Sequence, residues 1–462
     1  MAEILDYNPS PNYYSDLVQS QRYARISSFT LESGEELCSF PVAFKTWGVL
    51  NAEADNVLVV CHALSGSSDI EDWWRPAIGK GPGFAIDISR FFVFCGNLLG
   101  SPYGSASPLT IDPRTGFPYG PHFPQTTVRD DVQIHKLVLD ALGVKSVAAV
   151  IGGSMGGMAT LEWPLCTPAG YVKNIIPIAT AAKQSAWGIG WSDVQRSCIL
   201  NDPGYQGGHY PPNPDGQPYA GLATARQVAM LTYRSAVSFD KRFDRKPAVV
   251  KTRTATCPST NSSTNCPLST NGYKGNGAGS TLTPPEPQKT MGGGPLDDGA
   301  KKVGFSVQSY LQYQGEKFLR RFDANCYLHL IDKMDLHDLA RGRQHSSTEN
   351  DATSSSHDNR EAMTTILRSL PPKPLVIGAE TDLLFRPAYQ VELADAIPEA
   401  ELVIIPSQDG HDGFLLEFEI LNTKIAQHLR ALFPRFYEGE AFDVRETDTG
   451  VKNSVFGEME SD

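Results

Sequence analysis

A serine set between two glycine pairs, Gly152-Gly153-Ser154-Met155-Gly156-Gly157, is the stretch best suited to chemistry. It follows five small or branched apolar residues, Val147 to Ile151, which suit a fully buried parallel strand. Gly152 to Gly156 fit the G-x-S-x-G pattern, in which a strand turns sharply into a helix and a serine projects from the turn. Glycine is needed around such a serine because its backbone is strained and flanking Cβ atoms would collide with the neighbouring strand or helix. Alone, the run fits a nucleophile or an ordinary turn that holds an anion on backbone N–H groups. A lysine-bearing phosphate loop is disfavoured, because Met158-Ala159-Thr160 follow where Lys-Ser/Thr would stand. A serine hydroxyl also needs an imidazole to take its proton and a carboxylate to hold that imidazole. Of the ten histidines, His411 has the best context, flanked by Gly410 and following the apolar run Leu402 to Ile405. Asp382 ends a similar run, Pro374 to Gly378, and is preferred to Glu380 as lying further into the loop; a helix-capping role for it stays open.

Several elements must position these three residues. Arg25 to Phe44, with Ser33-Gly34 between two alternating runs, reads as an antiparallel hairpin. Val57 to Cys61 and Phe91 to Cys95 read as central strands, and Val172 to Ala179 as the strand after the serine's helix. The loop after Val57 to Cys61, His62-Ala63-Leu64-Ser65-Gly66, is placed to supply one backbone N–H of an oxyanion hole, from Leu64, with Met155 supplying the other. His62 itself reads first as a structural histidine. Gly96 to Pro124, rich in Gly, Pro, Ser and aromatics, reads as an ordered loop near a site. Thr127 to Leu142 carries helical spacing, with Thr126 or Thr127 as N-cap and Asp130 and Asp131 in the first turn. From Lys183 the strand and helix alternation gives way to helical segments, Ser192 to Leu200, Leu222 to Ser235 and Val307 to Met334, read as an inserted cap.

The expected organisation is an N-terminal extension over 1–26, a first core segment over 27–185, and a helical lid over 186–365. A second core segment over 366–436 and an acidic tail over 437–462 complete it. Two low-complexity insertions, about 251–301 and 344–359, interrupt the lid, and Cys257 and Cys266 in the first are expected to do no chemistry.

Composition removes whole classes of function. The formal net charge is -12 and no basic stripe stands out, which argues against nucleic acid as partner. Eight cysteines in 462 residues, several inside apolar runs, suit buried thiols of a reducing compartment, and no spacing suggests a metal site. Met1 to Val18 lacks a basic segment and an apolar run, so it reads as neither signal nor transit peptide, and no window could span a membrane. A cytoplasmic location is expected.

The order Ser154, Asp382, His411 is the one used by the α/β-hydrolase fold. The expected class is therefore α/β: a mostly parallel central sheet with helices on both faces and an inserted helical lid. Further motifs are H-A-L-S-G-S at His62 to Ser67, D-W-W at Asp72 to Trp74 and G-N-L-L-G-S-P-Y-G-S at Gly96 to Ser105. V-R-D-D-V at Val128 to Val132, G-G-S-M-G-G-M at Gly152 to Met158, R-F-D-A-N-C-Y at Arg321 to Tyr327 and G-H-D-G-F-L-L-E-F at Gly410 to Phe418 extend the set. By these motifs the sequence resembles the homoserine O-acetyltransferases, and among them the fungal type, from about Ser27 to Phe433 apart from the two insertions. The resemblance implies acetyl transfer from acetyl-CoA to L-homoserine through acyl-Ser154, with no permanently bound cofactor. It further implies Arg226 as partner of the substrate carboxylate, Tyr233 beside it, Asp412 as partner of the ammonium, and a homodimer formed through the lid. Relatives acting on serine or on deacetylcephalosporin C share the fold and triad, and the alternative reading is a serine O-acetyltransferase or O-succinyltransferase of the same family, or an α/β-hydrolase esterase. Ser65 replaces a threonine common in relatives, and Gly413 an alanine, a change expected to enlarge the acceptor pocket slightly.

Overall fold

The computed structural model describes residues 1–248, 304–343 and 356–444. The first insertion with Cys257 and Cys266, most of the second, and the tail beyond 444 lie outside the described residues. The described strands are β1 (Ala2–Leu5), β2 (Arg22–Thr30), β3 (Glu36–Trp47), β4 (Val57–Cys61), β5 (Ile78–Gly79), β6 (Ile86–Asp87), β7 (Phe92–Gly96), β8 (Val147–Gly153), β9 (Val172–Ile178), β10 (Leu375–Ala379) and β11 (Glu401–Ile405). Nine of them form one sheet in the order β1-β2-β3-β7-β4-β8-β9-β10-β11, and β5 pairs with β6 apart from it. From β7 to β11 every pairing in that sheet is parallel, while β1, β2 and β3 add an antiparallel edge.

Between and after these strands run α1 (Ile70–Trp73), α2 (Val128–Ala141), α3 (Met155–Cys166), α4 (Ala186–Leu200), α5 (Tyr219–Tyr233), α6 (Ala236–Phe243), α7 (Ser306–Leu319), α8 (Ala324–Asp335), α9 (Ser356–Arg368), α10 (Pro387–Ala396), α11 (Gly413–Leu416) and α12 (Phe418–Leu432). The six helices α4 to α9 all fall between β9 and β10. Among the described residues, those within 1–244 and 310–462 belong to one compact unit and those within 245–309 to another; within the second, Pro247 and Phe305 form an antiparallel bridge.

Period-two burial explains why β4 is apolar throughout. Val57, Val59 and Cys61 face a cluster that includes Val132 and Val138 of α2 and Leu161 of α3. Leu58 and Val60 face the opposite cluster, with Leu421, Ile425 and Leu429 of α12. A strand covered on both faces needs no polar alternation. Helix α2 starts where its capping chemistry dictates: Thr127 and Asp130 make a reciprocal capping box, which decides between the two threonines.

Three boundaries differ from expectation. Residues 1–26 are not simply an extension, because β1 pairs antiparallel with β2, Ala2 opposite Ile26, and β2 already begins at Arg22. Four residues are too short a run to announce a strand, and it forms only because a longer partner offers an edge. Helix α4 begins six residues before its expected start, capped by the Ser185 hydroxyl, which accepts from Gly188 N–H. The continuous helical run expected over Val307 to Met334 is two helices, broken where Asp323 caps α8 by accepting from Cys326 N–H.

Core and lid are joined by a buried ion pair. Lys333 Nζ of α8 lies 2.6 Å from Asp131 Oδ2 of α2, with both side chains essentially inaccessible. Burial pushes the Lys333 amine down and the Asp131 carboxyl up, each offset by the opposite charge beside it. Breaking one partner of such a pair leaves a buried charge uncompensated.

Candidate active site

Ser154 sits at the junction of β8 and α3 with φ 58° and ψ -125°, a left-handed conformation that a non-glycine residue adopts only under constraint. The constraint is visible. Its N–H donates to the Ile178 carbonyl, and its own carbonyl accepts from Gly157 N–H, Met158 N–H and the Thr180 hydroxyl. The glycines permit the close approach of this turn to β4: a Cβ at Gly156 would sit 2.1 Å from the Cys61 carbonyl oxygen and 3.0 Å from that of His62. Both obstacles are backbone. Gly156→Ala is therefore expected to destabilise by about 1–3 kcal/mol or more, the range of overpacked sites. Gly190→Ala, in helix α4 with open space around it, is expected to be neutral or stabilising by about 0.5–1 kcal/mol. Urea unfolding of the two variants checks the contrast.

His411 and Asp382 meet. His411 Nδ1 lies 2.7 Å from Asp382 Oδ2, and both side chains are buried. The other carboxylate oxygen of Asp382 accepts from Leu384 N–H and Phe385 N–H at 2.8 Å each, so the aspartate is aimed by the loop after β10. The loop after β11 is tied to the same place. Gly410 N–H donates to the Thr381 hydroxyl, which donates to the Ser407 carbonyl. The Phe414 ring links this pair to the serine's turn. Phe414 packs onto Gly153, where an added Cβ would lie 2.4 Å from it, and its centroid is 5.3 Å from that of His411. With Nδ1 held by the carboxylate, the second imidazole nitrogen is the one available for proton transfer.

The loop after β4 abuts the serine turn through the Gly156 contacts just given. Leu64 and Met155, the expected oxyanion donors, are both buried, and neither N–H donates a hydrogen bond among the described residues. Met155 opens α3, where an N–H has no intrahelical acceptor.

Arg226 of α5 is only 1% exposed; its guanidinium stacks 4.8 Å from the Phe318 ring centroid and 5.4 Å from that of Tyr233. The Tyr233 ring is in turn 6.2 Å from that of His411. An arginine this deeply buried is not a solvated helix charge. Asp412 is buried too, and its Oδ2 accepts from Arg234 Nε at 2.7 Å, while Arg234 Nη1 reaches Asp409 Oδ1 at 2.7 Å. Gly413 does not enlarge an acceptor pocket. A Cβ there would meet Ser407 Cβ at 2.9 Å and Ala379 Cβ at 3.2 Å, so the missing methyl relieves packing at the end of β10.

Two residues at the site were given no role by sequence reasoning. Arg234 clamps the loop that carries His411, and nothing local marks it, since its partners are 175 and 178 residues away. Arg321 Nη1 donates to the Ser65 carbonyl, at 3.1 Å, in the loop that holds Leu64. Its place in the R-F-D-A-N-C-Y motif was the available signal. Among the described residues no group of three or more His, Cys, Asp or Glu could hold a metal ion, and no helix is long and apolar enough to cross a membrane.

Fold and site together define a member of the α/β hydrolases, and residues 56–418 match the model of the family described as alpha/beta hydrolase fold. The homoserine O-acetyltransferase of Cryptococcus neoformans is 44% identical over 518 aligned positions, covering 98% of this chain and 97% of that protein. That of Saccharomyces cerevisiae is 43% identical, covering 99% of this chain and 96% of that one. Within the α/β hydrolases, the chain belongs to the homoserine O-acetyltransferase family. A crystal structure of homoserine O-acetyltransferase from Bacillus anthracis superposes with a TM-score of 0.68 at 20% identity, covering 92% of this chain and 99% of that one, a likeness of fold.

Proposed function

We propose that this protein transfers the acetyl group of acetyl-CoA to the hydroxyl of L-homoserine by a ping-pong cycle, as a step of methionine biosynthesis in the cytoplasm. The observation that carries the chemistry is the buried 2.7 Å His411–Asp382 bond, joined through the Phe414 ring to the glycine-framed turn of Ser154. Donor and acceptor follow from the names of the relatives.

His411 Nε2 takes the Ser154 proton as Oγ attacks the thioester carbonyl, and the N–H groups of Leu64 and Met155 receive the oxyanion. Collapse expels the thiolate, which leaves with the proton from His411. Homoserine then enters. Its hydroxyl gives its proton to His411 and attacks the acetyl-Ser154 ester, and the proton returns to Ser154 Oγ as O-acetyl-homoserine departs. Arg226 pairs with the substrate carboxylate, Tyr233 lines the pocket between Arg226 and His411, and Asp412 takes the ammonium. Because Asp412 already accepts from Arg234, the ammonium shares or displaces that ion pair. The cycle uses acetyl-CoA as co-substrate and needs no resident cofactor.

A homodimer through the lid fits the apolar surface of α4, where Trp187, Ile189, Val194 and Leu200 are each 40% exposed or more. Sedimentation showing only monomer at micromolar concentration would remove that part of the reading.

The test is thiol release from acetyl-CoA or succinyl-CoA with homoserine, serine or no acceptor. Sustained release is expected only for acetyl-CoA with homoserine. Equal turnover with serine contradicts the acceptor, and fast release without any acceptor makes the protein an esterase. Arg226→Ala is expected to raise the KM for homoserine while leaving the first acyl transfer nearly intact. A parallel loss in both would remove Arg226 from acceptor binding.

A further inference from the structure

His62 is fully buried at the end of β4 and has no place in the proton transfers just described. Both ring nitrogens are nonetheless committed. Leu98 N–H lies 3.3 Å from Nε2, and a backbone N–H can only donate, so Nε2 is the unprotonated acceptor. The ring proton therefore sits on Nδ1, 2.9 Å from the Ala63 carbonyl, to which it donates. Gly66 N–H donates to that same carbonyl at 2.9 Å, closing the turn in which Leu64 lies. Burial favours the neutral ring, pushing its pKa down to about 4.

The anchor beyond Leu98 is equally fixed. Leu99 N–H donates to Asp131 Oδ1 at 2.8 Å, and Lys333 Nζ donates to the Leu99 carbonyl at 2.8 Å. The buried core-to-lid ion pair thus holds both backbone groups of Leu99. One imidazole joins that rigid point to the Ala63 carbonyl, one residue before the candidate oxyanion donor. On the other side, the carbonyls of Cys61 and His62 press against Gly156 of the serine turn.

We propose that His62 is a positioning residue for the oxyanion hole: as a neutral imidazole protonated at Nδ1, it latches the Leu64 loop to Leu98. The proposal rests on the reading of Ser154 as nucleophile. An N–H donor displaced by about 1 Å from its productive position can cost about 10²-fold in rate, and loss of one oxyanion donor costs about 10²–10³-fold. The oxyanion forms in both halves of a ping-pong cycle, so both halves suffer alike. Acceptor binding, at Arg226 and Asp412, does not.

The experiment compares the native chain, His62→Ala, His62→Gln and Ser154→Ala. Acylation is followed by single-turnover thiol release from acetyl-CoA, and deacylation by chasing the acetyl-enzyme with homoserine. His62→Ala is expected to slow both half-reactions by about 10²-fold, with the KM for homoserine unchanged within about twofold. The Gln side-chain oxygen can accept from Leu98 N–H, so His62→Gln is expected to recover about tenfold of that loss. Should the alanine variant fail to fold, a loss of about tenfold in both steps by a folded His62→Gln supports the latch. Native rates in a folded His62 variant, or a loss confined to one half-reaction, overturn it. Native turnover by Ser154→Ala instead overturns the nucleophile itself, so the two failures are distinct.

Discussion

Ser154→Ala is expected to lower thiol release by about 10⁴-fold or more while leaving the protein folded. The substitution removes one oxygen from a residue whose backbone bonds to Ile178, Gly157, Met158 and Thr180 all survive. In the proposed cycle His411, held by Asp382, only takes and returns a proton, so the lost oxygen is the atom that would carry the acetyl group. Whatever acceleration survives comes from donors that polarise the thioester carbonyl, and it leads to no acyl-enzyme. Steady-state thiol release, with circular dichroism to verify folding, measures the effect. A fall of less than about tenfold would mean that the acetyl group never passes through this serine.

Asp382→Asn is expected to cost about 10⁴-fold in kcat with almost no change in structure. One side-chain oxygen of Asp382 accepts two backbone N–H groups, from Leu384 and Phe385, and the Asn oxygen keeps that position. Its NH₂ group then faces His411 Nδ1. A donor there makes Nδ1 the acceptor and moves the ring proton to Nε2, the nitrogen that must be free to deprotonate Ser154 and homoserine. The loss should appear in both half-reactions, with little change in KM for homoserine. A variant retaining more than about one tenth of native kcat would show that the bond only packs the loop.

Much of the site was legible because its signals are local. Gly152 to Gly157 announce a strained turn within six residues, and Asp382 and His411 each stand just past an apolar strand. Their order along the chain then selects one fold. The Thr127 capping box is equally local, and α2 begins there. Features that arise between distant segments left no such trace. The Arg234–Asp412 pair joins residues 178 positions apart, and Lys333–Asp131 joins residues 202 apart; each reads as an ordinary helix or loop charge until the chain folds. Strand β1 exists only as a partner for β2. Gly413 departs from expectation for a related reason, since a Cβ beside His411 would point towards Ser407 and Ala379 and not into a pocket. The fate of Arg226 lies between these cases: family resemblance singled it out, and the aromatic rings of Phe318 and Tyr233 explain how a guanidinium can be held so deep.

An acyl-Ser154 intermediate is tested most directly by mixing the protein with acetyl-CoA in the absence of acceptor, quenching, digesting, and weighing the peptide that carries Ser154. One added acetyl group on Ser154 is expected, formed with one equivalent of thiol and discharged to O-acetyl-homoserine when L-homoserine is supplied. An unmodified peptide, with thiol release only when both substrates are present, would contradict it.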